Sequence, residues 1–105
     1  MDLKNQINIL KTLERNPTCS QRDLASGLGM SLGKANYCLK SLADKGFIKV
    51  RNFQNSQNKV KYAYLLTPQG VREKTKLTVQ FLKHKTAEYQ QLKLEIQHLK
   101  EAIGK

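Results

Sequence analysis

Zinc-ligand spacing is missing from this 105-residue sequence. Its two cysteines, Cys19 and Cys38, form no CxxC pair, and no Cys/His cluster stands near them, which excludes a zinc-stapled finger. The combinations that carry catalysis are missing as well. There is no phosphate-cradling glycine loop, no nucleophile elbow and no Ser/His/Asp order. The two histidines, His84 and His98, lie two heptads apart on one outer helix face, a solvated position. No apolar run approaches the roughly 20 residues of a membrane span, and the N-terminus has no leader pattern. These absences predict a protein that is not an enzyme, holds no metal or cofactor, inserts in no membrane and works in the cytoplasm. Both thiols are expected to be free there, Cys38 as a small packing residue. Cys19 would be a redox switch only with an activating partner, and the sequence offers none.

Acidic residues are also scarce. Eight Asp and Glu face nineteen Lys and Arg, a formal net charge of +11. Such an excess calls for a polyanionic partner, nucleic acid before an anionic membrane. It is concentrated in one place. Residues 31–61 carry seven basic residues against the single Asp44, whereas residues 86–105 carry three lysines against three glutamates. The chain thus has a basic working segment and a neutral tail.

The pattern of elements around that segment is legible. Leu3, Ile7, Leu10 and Leu13 form one apolar stripe, a first helix ended at Asn16-Pro17. Within residues 20–45, Ser20 and Ser31 each signal a helix start. The turn Gly27-Leu28-Gly29-Met30 separates two short amphipathic helices, a helix-turn-helix. Gly27 and Gly29 are expected to end the first, in which Leu24 and Leu28 face inward. In the second, Leu32, Ala35, Leu39, Leu42 and Ala43 form the inward set, with Cys38 beside it. Lys34, Asn36, Tyr37, Lys40 and Ser41 face out with Gly33. Lys45-Gly46 closes it.

Residues 47–53 alternate like a strand, with Ile48 and Val50 inward and Lys49 and Arg51 outward. The polar run Gln54-Asn55-Ser56-Gln57-Asn58 is a hairpin loop, and residues 60–66 a second strand. Together they make a wing, flanked by Arg51, Lys59 and Lys61. Thr67-Pro68 opens a last helix that runs to about Ile103. Leu82, Tyr89, Ile96 and Ile103 recur every seven residues, with Leu92 and Leu99 between them, the seam of a coiled coil. Lys85 breaks it once. Glu88 and Glu95 flank the seam on one side, Lys93 and Lys100 on the other. These charges favour a parallel pair, and both strand orientations stay open.

The run LKSLADKGFIKV (residues 39–50), followed by YAYLLTPQG (residues 62–70), resembles winged-helix regulators of the MarR family. The short chain and long final helix are most similar to the small MarR-type regulators associated with exopolysaccharide gene clusters. That resemblance implies a mainly α fold with a small β wing. A winged helix-turn-helix over residues 1–67 precedes a dimerisation helix over residues 68–105. It departs from typical members, whose additional N-terminal helix joins the dimer interface. Here the pairing rests on the last helix, and no small-molecule effector is assigned.

The reading is a homodimeric, sequence-specific regulator of transcription that binds double-stranded DNA. Lys34, Asn36, Tyr37 and Lys40 would enter the major groove, with Ser31 and Leu32 at its edge. Arg51, Asn55, Ser56, Gln57, Asn58, Lys59 and Lys61 would lie on the backbone or minor groove. Thr18, Ser20 and Gln21 would hold a phosphate at a helix start. Leu82, Tyr89, Leu92, Ile96, Leu99 and Ile103 would join two copies. The alternative is a winged-helix interaction module that recruits a partner through its coiled coil. Lysine, asparagine and glutamine on the third helix and wing favour DNA.

Overall fold

The computed structural model describes residues 2–54, 57 and 60–104 of the chain. Helices α1 (Leu3–Arg15), α2 (Gln21–Leu28) and α3 (Leu32–Asp44) precede strands β1 (Ile48–Gln54) and β2 (Val60–Leu66). A 36-residue helix, α4 (Pro68–Ile103), follows. The fold is a winged helix with a long C-terminal helix.

Each helix begins on a side-chain cap that satisfies a backbone N–H at its open end. Ser20 accepts from Asp23 N, Ser31 from Lys34 N and Thr67 from Gly70 N. Asp2 caps α1 in the same way, accepting from Asn5 N at 2.7 Å, a start signal the apolar stripe did not reveal. Gly29, at φ 65°, closes α2 in the left-handed region. Gly27 does not end that helix, as expected from sequence, but sits in its last turn. One left-handed residue is enough to close it.

The core is built around α1. Ile9, Leu10 and Leu13 are fully buried against Leu42 and Cys38 of α3, with Leu24 of α2, Ile48 of β1, Tyr64 of β2 and Leu77 of α4 around them. The strands pair antiparallel, from Ile48 opposite Leu66 to Gln54 opposite Val60. A bond from Tyr64 N to Pro17 O, 2.8 Å, fastens the wing to the α1–α2 connection.

Two inward assignments fail. Val50 is 47% exposed and Leu32 43% exposed. The wing reaches the core through Ile48, Tyr64 and Leu66; Val50 pairs opposite Tyr64 but stays outside that cluster. Leu32 lies in the first turn of α3, ahead of the region where α3 meets the core.

The start of α4 is fixed by one junction. Thr67 Oγ1 donates to Gly46 O at 2.6 Å, and Thr67 N donates to Phe47 O at 3.1 Å. Glu14 of α1 and Lys74 of α4 add a partly exposed ion pair. Leu77 is buried and Phe81 half-buried; every described residue from 82 onward is exposed. The helix therefore leaves the body one turn after Leu77, and the molecule extends 72 Å along its longest axis. Among the described residues, no helix is long and apolar enough to cross a membrane.

Gly70 is the position this junction constrains most. A Cβ there would overlap the Phe47 carbonyl oxygen and carbon. Alanine for glycine inside a helix ordinarily gains up to about 1 kcal/mol. Gly70→Ala should do the reverse, losing about 2 to 3 kcal/mol and lowering Tm by roughly 10 °C. Calorimetry of the two proteins checks the sign.

Candidate nucleic-acid interface

The outward face of α3 is exposed. Its register follows from the core: with Ala35, Cys38, Leu39 and Leu42 buried, the intervening Lys34, Asn36, Tyr37 and Lys40 must face water. All four are exposed, Tyr37 to 68%. Gly33 beside them has open space where a Cβ would stand. This face therefore offers two ammonium groups, an amide and a phenol over about two helical turns, with no acid among them.

Beside it runs an open groove of about 720 Å³ between the start of α2, the inner flank of α3 and the wing. Thr18, Ser20, Gln21, Asn36, Lys40 and Lys61 line it, so it gathers six of the residues singled out from sequence. Ser31, Leu32, Lys34, Tyr37 and Arg51 are exposed but are not among its walls. Gln57 is exposed at the wing tip, while Asn55, Ser56, Asn58 and Lys59 lie outside the described residues.

The groove also has walls that sequence reasoning did not assign. Val50, Tyr62 and Tyr64 line it from the wing, and Asp44 lines it from α3. The strand alternation predicts Val50 in the core, whereas it stands on the groove wall. Tyr64 is the more consequential omission. Its ring is buried, and its hydroxyl accepts from Gln21 Nε2 at 3.2 Å. The same nitrogen donates to Asn36 Oδ1 at 3.5 Å, at the long limit for such a bond. Forty-three residues separate Gln21 from Tyr64, so no local pattern announces the contact.

The six candidate seam residues of α4 are all exposed, from Ile96 at 45% to Ile103 at 85%. They follow one another as an apolar ridge along the part of the helix that extends beyond the body. Among the described residues, no three His, Cys, Asp or Glu side chains converge as metal ligands would.

Residues 2–49 match the family described as winged helix-turn-helix DNA-binding. The fold is shared with solved regulators of transcription. PcaV from Streptomyces coelicolor, in complex with its natural ligand, superposes with a TM-score of 0.66 at 20% identity, over 78% of this chain and 57% of that one. BldR from Sulfolobus solfataricus gives 0.61 at 21% identity, over 81% and 58%. A MepR variant from a multidrug-resistant S. aureus isolate gives 0.62 at 18% identity, over 96% and 78%. The chain spans less than two-thirds of the length of PcaV and BldR. No curated protein matches it.

The thiol of Cys19 also lines the groove. Burial, reinforced by the charge of Asp23, pushes its pKa above the ordinary thiol range. A raised acid pKa means the folded state keeps the proton that the unfolded chain gives up from about pH 8.5. The contribution to stability is thus complete below that pH and is lost as pH rises above it. Denaturant unfolding between pH 7 and 10 should show stability falling above about pH 8.5, with a shallower fall in Cys19→Ala. Alkylation at pH 8 should be slower than for a peptide cysteine.

Proposed function

We propose that the chain is a homodimeric, sequence-specific regulator of transcription of the MarR type, related to the small regulators associated with exopolysaccharide genes. The observation that carries the reading is the uninterrupted exposed face Lys34, Asn36, Tyr37 and Lys40 on the second helix of a helix-turn-helix. In this fold that helix enters the major groove. The structural neighbours, among them regulators of transcription from Streptomyces and Sulfolobus, support it.

In this reading α3 lies in the major groove with Ser31 and Leu32 at its rim. Lys34 and Lys40 meet guanine edges or phosphates, and Asn36 and Tyr37 read bases. Arg51, Lys61 and the hairpin tip, with Asn55, Ser56, Gln57, Asn58 and Lys59, follow the backbone or minor groove. The start of α2 faces a phosphate. Ser20 Oγ already accepts from Asp23 N, which leaves its hydroxyl hydrogen and the first backbone N–H groups of the helix to donate. Residues 1–67 form the DNA-binding unit and residues 68–105 the dimerisation helix. Leu82, Tyr89, Leu92, Ile96, Leu99 and Ile103 pair two copies. Two recognition helices then require two half-sites in the target.

Two measurements test this. A fluorescence polarisation titration against a random duplex pool should show binding that weakens steeply with salt. Lys61→Ala should weaken it across all sequences by about threefold to tenfold, without changing base preference. Binding that is absent or insensitive to salt rejects the function. Leu92→Asp and Ile96→Asp together should convert a dimer to a monomer by light scattering. The melting of the body should be unchanged, because both side chains are already exposed.

A further inference from the structure

Resting on the DNA-binding reading, we infer that Gln21, anchored by Tyr64, is a positioning residue that fixes which way the Asn36 amide faces. It thereby sets the base class that Asn36 reads. Gln21 Nε2 carries two hydrogens. One goes to Tyr64 Oη and the other to Asn36 Oδ1. The first bond is the anchor. Tyr64 is 6% exposed, its ring belongs to the core and its backbone N–H is held by Pro17 O. Its hydroxyl is therefore a fixed point on the wing. Gln21 sits in the first turn of α2 and is half-buried. Three elements thus meet at one amide nitrogen: the start of α2, the exposed face of α3 and the second strand of the wing.

The consequence is chemical. An asparagine pairs in bidentate fashion with adenine only when its oxygen accepts from N6 while its nitrogen donates to N7. Here Oδ1 is turned toward Gln21, and Nδ2 with its two hydrogens is the group presented to DNA. Two donors suit an edge made of acceptors. In the major groove that edge is guanine, with N7 and O6, rather than cytosine, which presents a donor. The side-chain amide of Gln21 then acts on Asn36 instead of on a phosphate, and only its backbone N–H remains for the backbone contact.

Gln21→Glu tests this with almost no change in shape. A carboxylate cannot donate to Asn36 Oδ1. It can accept from Asn36 Nδ2 and from the Tyr64 hydroxyl, so the Asn36 amide turns over and presents its oxygen. The experiment is selection of bound duplexes from a random pool, run on wild-type protein, Asn36→Ala, Gln21→Glu and Tyr64→Phe. Asn36→Ala marks the position that Asn36 reads. At that position the wild type should prefer guanine. Gln21→Glu should lower that preference about tenfold in favour of adenine or cytosine, whose edges carry a donor. Tyr64→Phe should lower it about threefold without creating a new preference. The added negative charge of Gln21→Glu also weakens binding to every sequence, but a ratio between bases is blind to that. A wild-type preference for adenine at this position overturns the inference, and so does a Gln21→Glu profile identical to wild type. If the wild type binds no duplex with salt-dependent affinity, the DNA-binding function itself falls and takes this inference with it.

Discussion

The hydroxyl of Thr67 is the point on which the arrangement depends. It donates to Gly46 O, the residue that closes α3, and accepts from Gly70 N in the first turn of α4. One oxygen therefore sets the end of the third helix against the start of the fourth. The wing is trapped between these two fixed ends, since β1 leaves Gly46 and β2 arrives at Thr67. The close approach of Gly70 to Phe47 O is the steric counterpart of the same bond. The angle between body and protruding helix is thus pinned at a few backbone atoms, and the packing of α4 on α1 through Leu77 and the Glu14–Lys74 pair holds it.

The electrostatic layout follows from that geometry. The core of the body occupies one side of α3, leaving the basic face of that helix turned outward beside the wing. Among the described residues, no charged, amide or aliphatic hydroxyl side chain is buried in the core. The two cysteines behave as small apolar groups there, and for Cys19 the buried site disfavours the thiolate. Charge and packing are cleanly separated, which lets a chain with an excess of eleven positive charges fold without placing any of them inside.

What could be read from the sequence is what acts over short distances. Ser20, Ser31 and Thr67 were recognisable as caps because a cap bonds within three residues of itself. Ala35, Cys38, Leu39 and Leu42 were recognisable because helical periodicity fixes their common face. Val50 was misassigned because period-two alternation says which residues share a face, not whether that face meets anything. Its partner across the strands, Tyr64, reaches the core, whereas Val50 stops short of it on the wall of the open groove. Tyr64 shows the other limit. In sequence it is one member of an apolar strand, yet its hydroxyl accepts from Gln21 of α2, whose side chain also reaches Asn36 of α3. Only the closure of the hairpin onto the α1–α2 connection brings them together. The groove was therefore legible as a set of polar residues, whereas its internal wiring was not.

The rigid interval between Leu77, the last buried residue of α4, and Leu82, the first of its apolar ridge, has a further consequence. Within one continuous helix, each residue advances the axis by about 1.5 Å and turns it by about 100°. The body and the ridge are thus geared together: the interval sets a rotational phase as well as a distance. Adding or removing one residue there would swing the whole ridge about a quarter turn around the helix while barely moving it along the axis. Insertions of about seven residues preserve the phase and change only the reach. The five residue steps from Leu77 to Leu82 thus act as a clutch plate between the part of the chain that packs on itself and the part that does not.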